Sequence, residues 1–245
     1  MRRLIISFVF VLAAHAHAFA ADPPGPVQQA YSERQLTAIE AAIGDSAAVI
    51  WQAANQQSAE VKTKLVLGLE TNRKKNGFVL LDGNKPLIGL LQQQYDKLKP
   101  GNPRPVVIHL FRSNSEQFNT IGDDVYLDAA TVRGLSGMAG GQLVLLGILA
   151  HEVSHEPADF ARIQLFGSQN FTPDLKKILI QRLENRTDER AVKMLEDAGL
   201  DPAVMIRVVQ MLIESNPNEA TRLAARKGRI EEVIKARTVA TAGSR

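Results

Sequence analysis

The chain has 245 residues, 45% of them hydrophobic, and no cysteine, so it has material for one ordinary core and excludes disulfides, thiolate metal ligands and cysteine nucleophiles. Lys and Arg number 29 against 26 Asp and Glu, a formal charge of +3 that falls to +1 once Arg2 and Arg3 are set aside with the leader described next. Near-neutrality of that kind gives no argument for nucleic-acid binding, and no nucleic acid is expected as a partner.

Arg2 and Arg3 precede the apolar run Leu4–Leu12, and Ala18-Phe19-Ala20 follows as a small-x-small cleavage site. This reads as a secretory signal peptide over residues 1–20, which places the mature chain outside the cytoplasm, without a transmembrane segment. Residues 21–76 read as a Pro-rich leader and a helical N-terminal extension. Leu36, Ile39 and Ile43 recur at helical spacing, and Gly44-Asp45-Ser46 is expected to divide the extension into two helices. Trp51 serves there as a packing anchor.

A helix is predicted through Leu87, Leu91, Tyr95 and Leu98, then a strand over Val106–Phe111. Phe118–Ile121 and Val125–Leu127 read as two strands across the Gly122-Asp123-Asp124 turn, and Asp128–Leu135 as a short helix. Leu143–Ala150 is apolar on nearly all sides, the mark of a buried helix, and it runs into His151-Glu152-Val153-Ser154-His155. Pro157 is expected to end that helix right after His155. The stretch from Phe160 to Phe171 carries no clear signal. Thr172, Pro173 and Asp174 open a long helix, Gly199 closes it, Val204–Ile213 forms another, and Glu219–Ala236 a last one. Residues 237–245 are expected to be a disordered tail.

His-Glu-x-x-His on a helix puts His151 and His155 on one face, where both imidazoles can close on a single Zn2+ while Glu152 acts on a water. Of the five histidines, His15 and His17 lie in the leader, so a third protein ligand must be His109 or a carboxylate. His109 sits mid-strand and reads as an ordinary strand histidine. Glu184 and Asp188 stand at helical i,i+4 spacing, where like charges repel unless something positive compensates. A zinc shell would do so, with Glu184 on the metal and Asp188 on the spare nitrogen of a ligand histidine. Pairing with Arg182, Arg186 and Arg190 on a solvated face would do so equally well.

His-Glu-x-x-His, then Glu184-x-x-x-Asp188, then Ala198-Gly199-Leu200-Asp201-Pro202 resembles the HtpX and CAAX-prenyl-protease-like zinc metallopeptidases, especially their soluble periplasmic members of the BepA type. The resemblance implies an α+β, mostly helical zincin-like metallopeptidase domain over residues 77–236, with a short antiparallel sheet packed on the His-Glu-x-x-His helix. It implies one Zn2+ held by His151, His155 and Glu184, with Asp188 supporting the site and Glu152 as catalytic base. Phe118 and Gly122–Leu127 match the family's substrate segment, which makes Val125, Tyr126 and Leu127 the edge strand for the peptide. Asn216-Pro217 and Arg222 match an element whose arginine lines the active site. Asn216 stands where the family often has histidine, Asp123 replaces a glycine, and Glu184 follows His155 by only 29 positions. The expected function is a periplasmic zinc endopeptidase acting on polypeptides, such as misfolded envelope proteins, in quality control. The alternative is a zinc-binding, non-cleaving chaperone or assembly factor of the same fold.

Overall fold

In the computed structural model the described residues are 31–55, 79–81, 83–102, 104–112, 119–169, 171–215 and 217–243. The predicted signal peptide, the second half of the N-terminal extension, Phe118 and Asn216 lie outside them. Among the described residues the chain is a mostly helical α+β fold, with eight α-helices and a small mixed sheet. No helix among them is long and apolar enough to cross a membrane.

Helix α1 (Glu33–Asn55) runs unbroken through Gly44, so the expected division into two helices is corrected. A helical glycine costs only about 1 kcal/mol relative to alanine, and burial of Leu36, Ile43 and Ala47 on both sides of it outweighs that. After strand β1 (Val79–Leu80), helix α2 (Lys85–Leu98) turns Leu91, Tyr95 and Leu98 inward. Strands β2 (Val107–Arg112), β3 (Asn119–Ile121) and β4 (Asp124–Asp128) then complete a sheet of order β1-β2-β4-β3.

The sheet was expected to be antiparallel, and its central pair is not. β2 and β4 run parallel, with His109 beside Tyr126 and Leu110 beside Leu127, whereas β3 pairs antiparallel with β4 across the Gly122 turn. Period-2 alternation then sorts the side chains. Ile108, Leu110, Val125 and Leu127 join the main core, while Phe111, Ile121 and Tyr126 form a second cluster with Trp51 of α1 and with Phe160. Trp51 is thus the anchor its size suggested.

Helix α3 (Ala129–Ser136) starts where the Asp128 carboxylate accepts the Thr131 amide. Helix α4 (Gly141–Val153) carries the His-Glu-x-x-His motif and is buried along most of its length. It stops at Val153, two residues earlier than expected, with the His155 amide bonded to the Glu152 carbonyl in a tightened last turn. The unassigned stretch after it forms helix α5 (Asp159–Ser168). Helix α6 (Pro173–Asp197) opens as predicted, with the Thr172 hydroxyl accepting from the Leu175 amide. Helices α7 (Val204–Ser215) and α8 (Ala220–Gly243) follow, and α8 continues through most of the tail that was expected to be disordered. Ala, Thr and Val there extend the helix without a glycine or proline to stop it before Gly243.

Candidate metal centre

A helix buried along most of its length that ends in imidazole and carboxylate groups must find partners for them. His151 is 3% exposed and Glu152 5% exposed, both in the last turn of α4. The partners come from α6, which packs along α4. Asp188 Oδ1 lies 2.9 Å from His151 Nδ1, and Glu184 Oε2 lies 3.1 Å from His151 Nε2. His155 meets His151 edge to face, with ring centroids 5.1 Å apart. One ligand atom from each of His151, His155 and Glu184 falls within 4.8 Å of the others, so these three residues could hold a metal ion.

The donor chemistry fits a cation. An ionised Asp188 only accepts hydrogen bonds, so the His151 proton belongs on Nδ1, and the Nε2 lone pair then faces the Glu184 carboxylate. Two acceptors 3.1 Å apart repel unless a positive charge lies between them. The same logic governs protons. Burial opposes a charge on His151, but hydrogen bonds to Asp188 and Glu184 outweigh it and push its pKa up to about 10. Burial likewise favours neutral carboxyls, yet Arg226 and His151 bring Asp188 down to about 2, and His151 with His155 holds Glu184 well below the usual carboxylate range.

The arginines on α6 do not supply this charge. Arg182 and Arg186 pair with Glu40 of α1, Arg182 also with Glu33, and Arg190 with Glu156 and Asp159. Asp188 is instead clamped by Arg226 of α8, whose Nε and Nη2 donate to its two oxygens at 2.8 and 2.7 Å. Glu184 and Asp188 therefore belong to the buried cluster rather than to a solvated face.

Comparison with protein-family models and with curated proteins finds no match for this chain.

Arg222 and the strand residues Val125, Tyr126 and Leu127, expected at the site, stand elsewhere. Arg222 pairs with Glu219, one turn before Arg226 along the same stretch of chain, and Arg226 is the arginine that reaches the histidine–aspartate pair. Val125, Tyr126 and Leu127 form no edge, because β4 is paired on both sides, and the end strand on that side among the described residues is β3. The strand prediction held for both segments, but their order in the sheet depends on the parallel β2–β4 pairing, which local pattern does not encode. His109 pairs with Asp124 at 2.9 Å and stacks on Tyr126, apart from the metal group.

The end of α4 is fixed by side chains from distant parts of the chain. Arg104 donates to the Val153 carbonyl at 3.0 Å. The Thr120 hydroxyl of β3 lies 2.8 Å from the Glu152 carbonyl oxygen and 2.9 Å from Glu152 Oε2. Thr120 and Arg226 went unnoticed in the sequence, where a threonine in a strand and one arginine among several on a charged helix give no signal. Asp159 does stand four residues after His155, a helical spacing that could have drawn notice had a helix been expected there.

Proposed function

We propose that the protein is a zinc-dependent endopeptidase of the HtpX and CAAX-prenyl-protease-like type, acting on polypeptides outside the cytoplasm. The observation that carries this reading is the convergence of His151, His155 and Glu184 beside Glu152, whose carboxylate meets the end strand of a sheet. His151, His155 and Glu184 would hold one Zn2+, and zinc bound there would supply Lewis-acid activation of water and of a peptide carbonyl.

The protein's own residues have distinct tasks in this reading. Glu152 accepts the proton of the attacking water and passes it to the leaving amine. Asp188 fixes the His151 ring through Nδ1, and Arg226 keeps Asp188 ionised and in place. An extended peptide adds beside β3, the strand that also holds Glu152, so main-chain pairing sets the scissile bond relative to the base. This replaces Val125–Leu127 with Asn119–Ile121 as the substrate strand.

The test is the Glu152→Gln variant incubated with an unfolded polypeptide, with zinc content measured by elemental analysis. Full zinc content, folded protein and loss of chelator-sensitive fragments are expected. Undiminished cleavage by the variant would exclude Glu152 as the base. Zinc-loaded native protein that yields no fragments would assign the chain to the non-cleaving chaperone or assembly class.

A further inference from the structure

His155 is the one proposed ligand whose position the helix does not explain. α4 has ended at Val153, and the chain from Ser154 to Ala158 is a turn, so i,i+4 geometry on a continuous helix is not what brings His155 to His151. What meets His155 instead is Asp159, the first residue of α5, whose Oδ2 lies 3.3 Å from His155 Nδ1. Thr187 Oγ1 lies at the same distance from that nitrogen and donates its own proton to the Leu183 carbonyl, so it too faces the ring as an acceptor.

Asp159 is itself immobilised. It is 1% exposed, accepts the Glu156 amide at 2.9 Å through Oδ2, and receives Arg162 at 2.5 Å on Oδ1, with Arg190 Nη2 at 3.5 Å from Oδ2. A buried carboxylate needs such pairing to offset its desolvation, and here the pairing comes from three sides. Through the Glu156 amide it also closes the turn that carries His155. The arrangement repeats, with different residues, the one at His151, where Asp188 takes Nδ1 and Arg226 compensates Asp188.

We propose that Asp159 is the positioning residue for His155: it holds the ring in its Nδ1–H tautomer, leaves Nε2 free for the metal, and substitutes for the missing helical turn. This rests on the metal-site reading above. It adds a residue that the His-Glu-x-x-His and Glu-x-x-x-Asp spacing does not contain.

The experiment compares native protein with Asp159→Asn, which keeps the shape and lowers the acceptor strength, and with Asp159→Ala, which removes the acceptor. Zinc affinity is measured by competition with a chromophoric chelator, and the His155 tautomer of the metal-free protein by long-range proton–nitrogen NMR correlation. Loss of an outer hydrogen-bond partner lowers metal affinity by about 10- to 100-fold, so affinity is expected to fall by about tenfold in Asp159→Asn and further in Asp159→Ala. Native His155 is expected as Nδ1–H, with Nε2–H gaining population in both variants. Unchanged affinity and tautomer in folded Asp159→Asn would overturn the proposal, as would weaker zinc binding with the tautomer unchanged. Native protein that binds no zinc would sink the metal-site reading, and the tautomer measurement would still decide the role of Asp159.

Discussion

The Thr120 hydroxyl touches Glu152 twice, at its carboxylate and at its backbone carbonyl, and Thr120 is the middle residue of the end strand β3. The proposed base and the strand proposed to carry the peptide are therefore in direct contact. A hydrogen bond to a charged group contributes about 1.5 to 3 kcal/mol. Thr120→Val should lower kcat by about 10- to 100-fold with zinc content intact, and Thr120→Ser should restore most of it. Equal turnover in native protein and Thr120→Val would show that Glu152 is held by other means.

Removal of the proposed third ligand should give a sharper loss. Glu184→Gln keeps the volume but removes the charge that faces His151 Nε2. Its zinc affinity should fall by more than the roughly 10- to 100-fold typical of an outer partner, as read by the same chelator competition. Lys193→Gln, which removes an exposed pair with Asp197 on the same helix, should leave zinc affinity unchanged.

Gly122 joins β3 to β4 at φ +65°, and a Cβ there would stand 1.9 Å from Trp51 Cη2. Gly122→Ala meets both obstacles at once. A non-glycine residue forced into that conformation costs of order 1 to 3 kcal/mol, and the ring must also move. A lowered Tm is expected, together with a red shift of the emission of Trp51, the only tryptophan in the chain.

Gly147 gives a comparable test on α4. A Cβ at this position would lie 2.5 Å from Val208 Cγ2 and 2.9 Å from Val204 Cγ1, so the glycine lets α4 and α7 approach closely. Overpacking a filled core costs about 1 to 3 kcal/mol, and Gly147→Val should lose stability in that range by denaturant unfolding.

The parts of the fold that were legible are those set by neighbours in sequence. The Thr172 cap, the Asp128 start of α3 and the all-apolar run of α4 each depend on contacts within a few residues, and each stands as read. The break at Gly44 was misread because a weak local penalty loses to the burial of Ile43 and Ala47. The edge of the sheet was misread because an apolar run such as Val106–Phe111 fits a parallel or an antiparallel partner equally. At the site, His151, Glu152, Glu184 and Asp188 followed from spacing and resemblance. Thr120 and Arg226 are 31 and 75 residues from His151, and only the packing of β3 and α8 brings them in.

Helix α6 supplies Glu184, Thr187, Asp188 and Arg190 from fewer than two turns of one rod, clamped near that stretch by Arg182 and Arg186 on Glu40 of α1. A small rotation of that rod about its axis would withdraw Glu184 from the proposed metal site and Asp188 from His151 together. Occupancy of the centre should therefore register the seating of α1 on α6, much as a latch registers whether a door is shut.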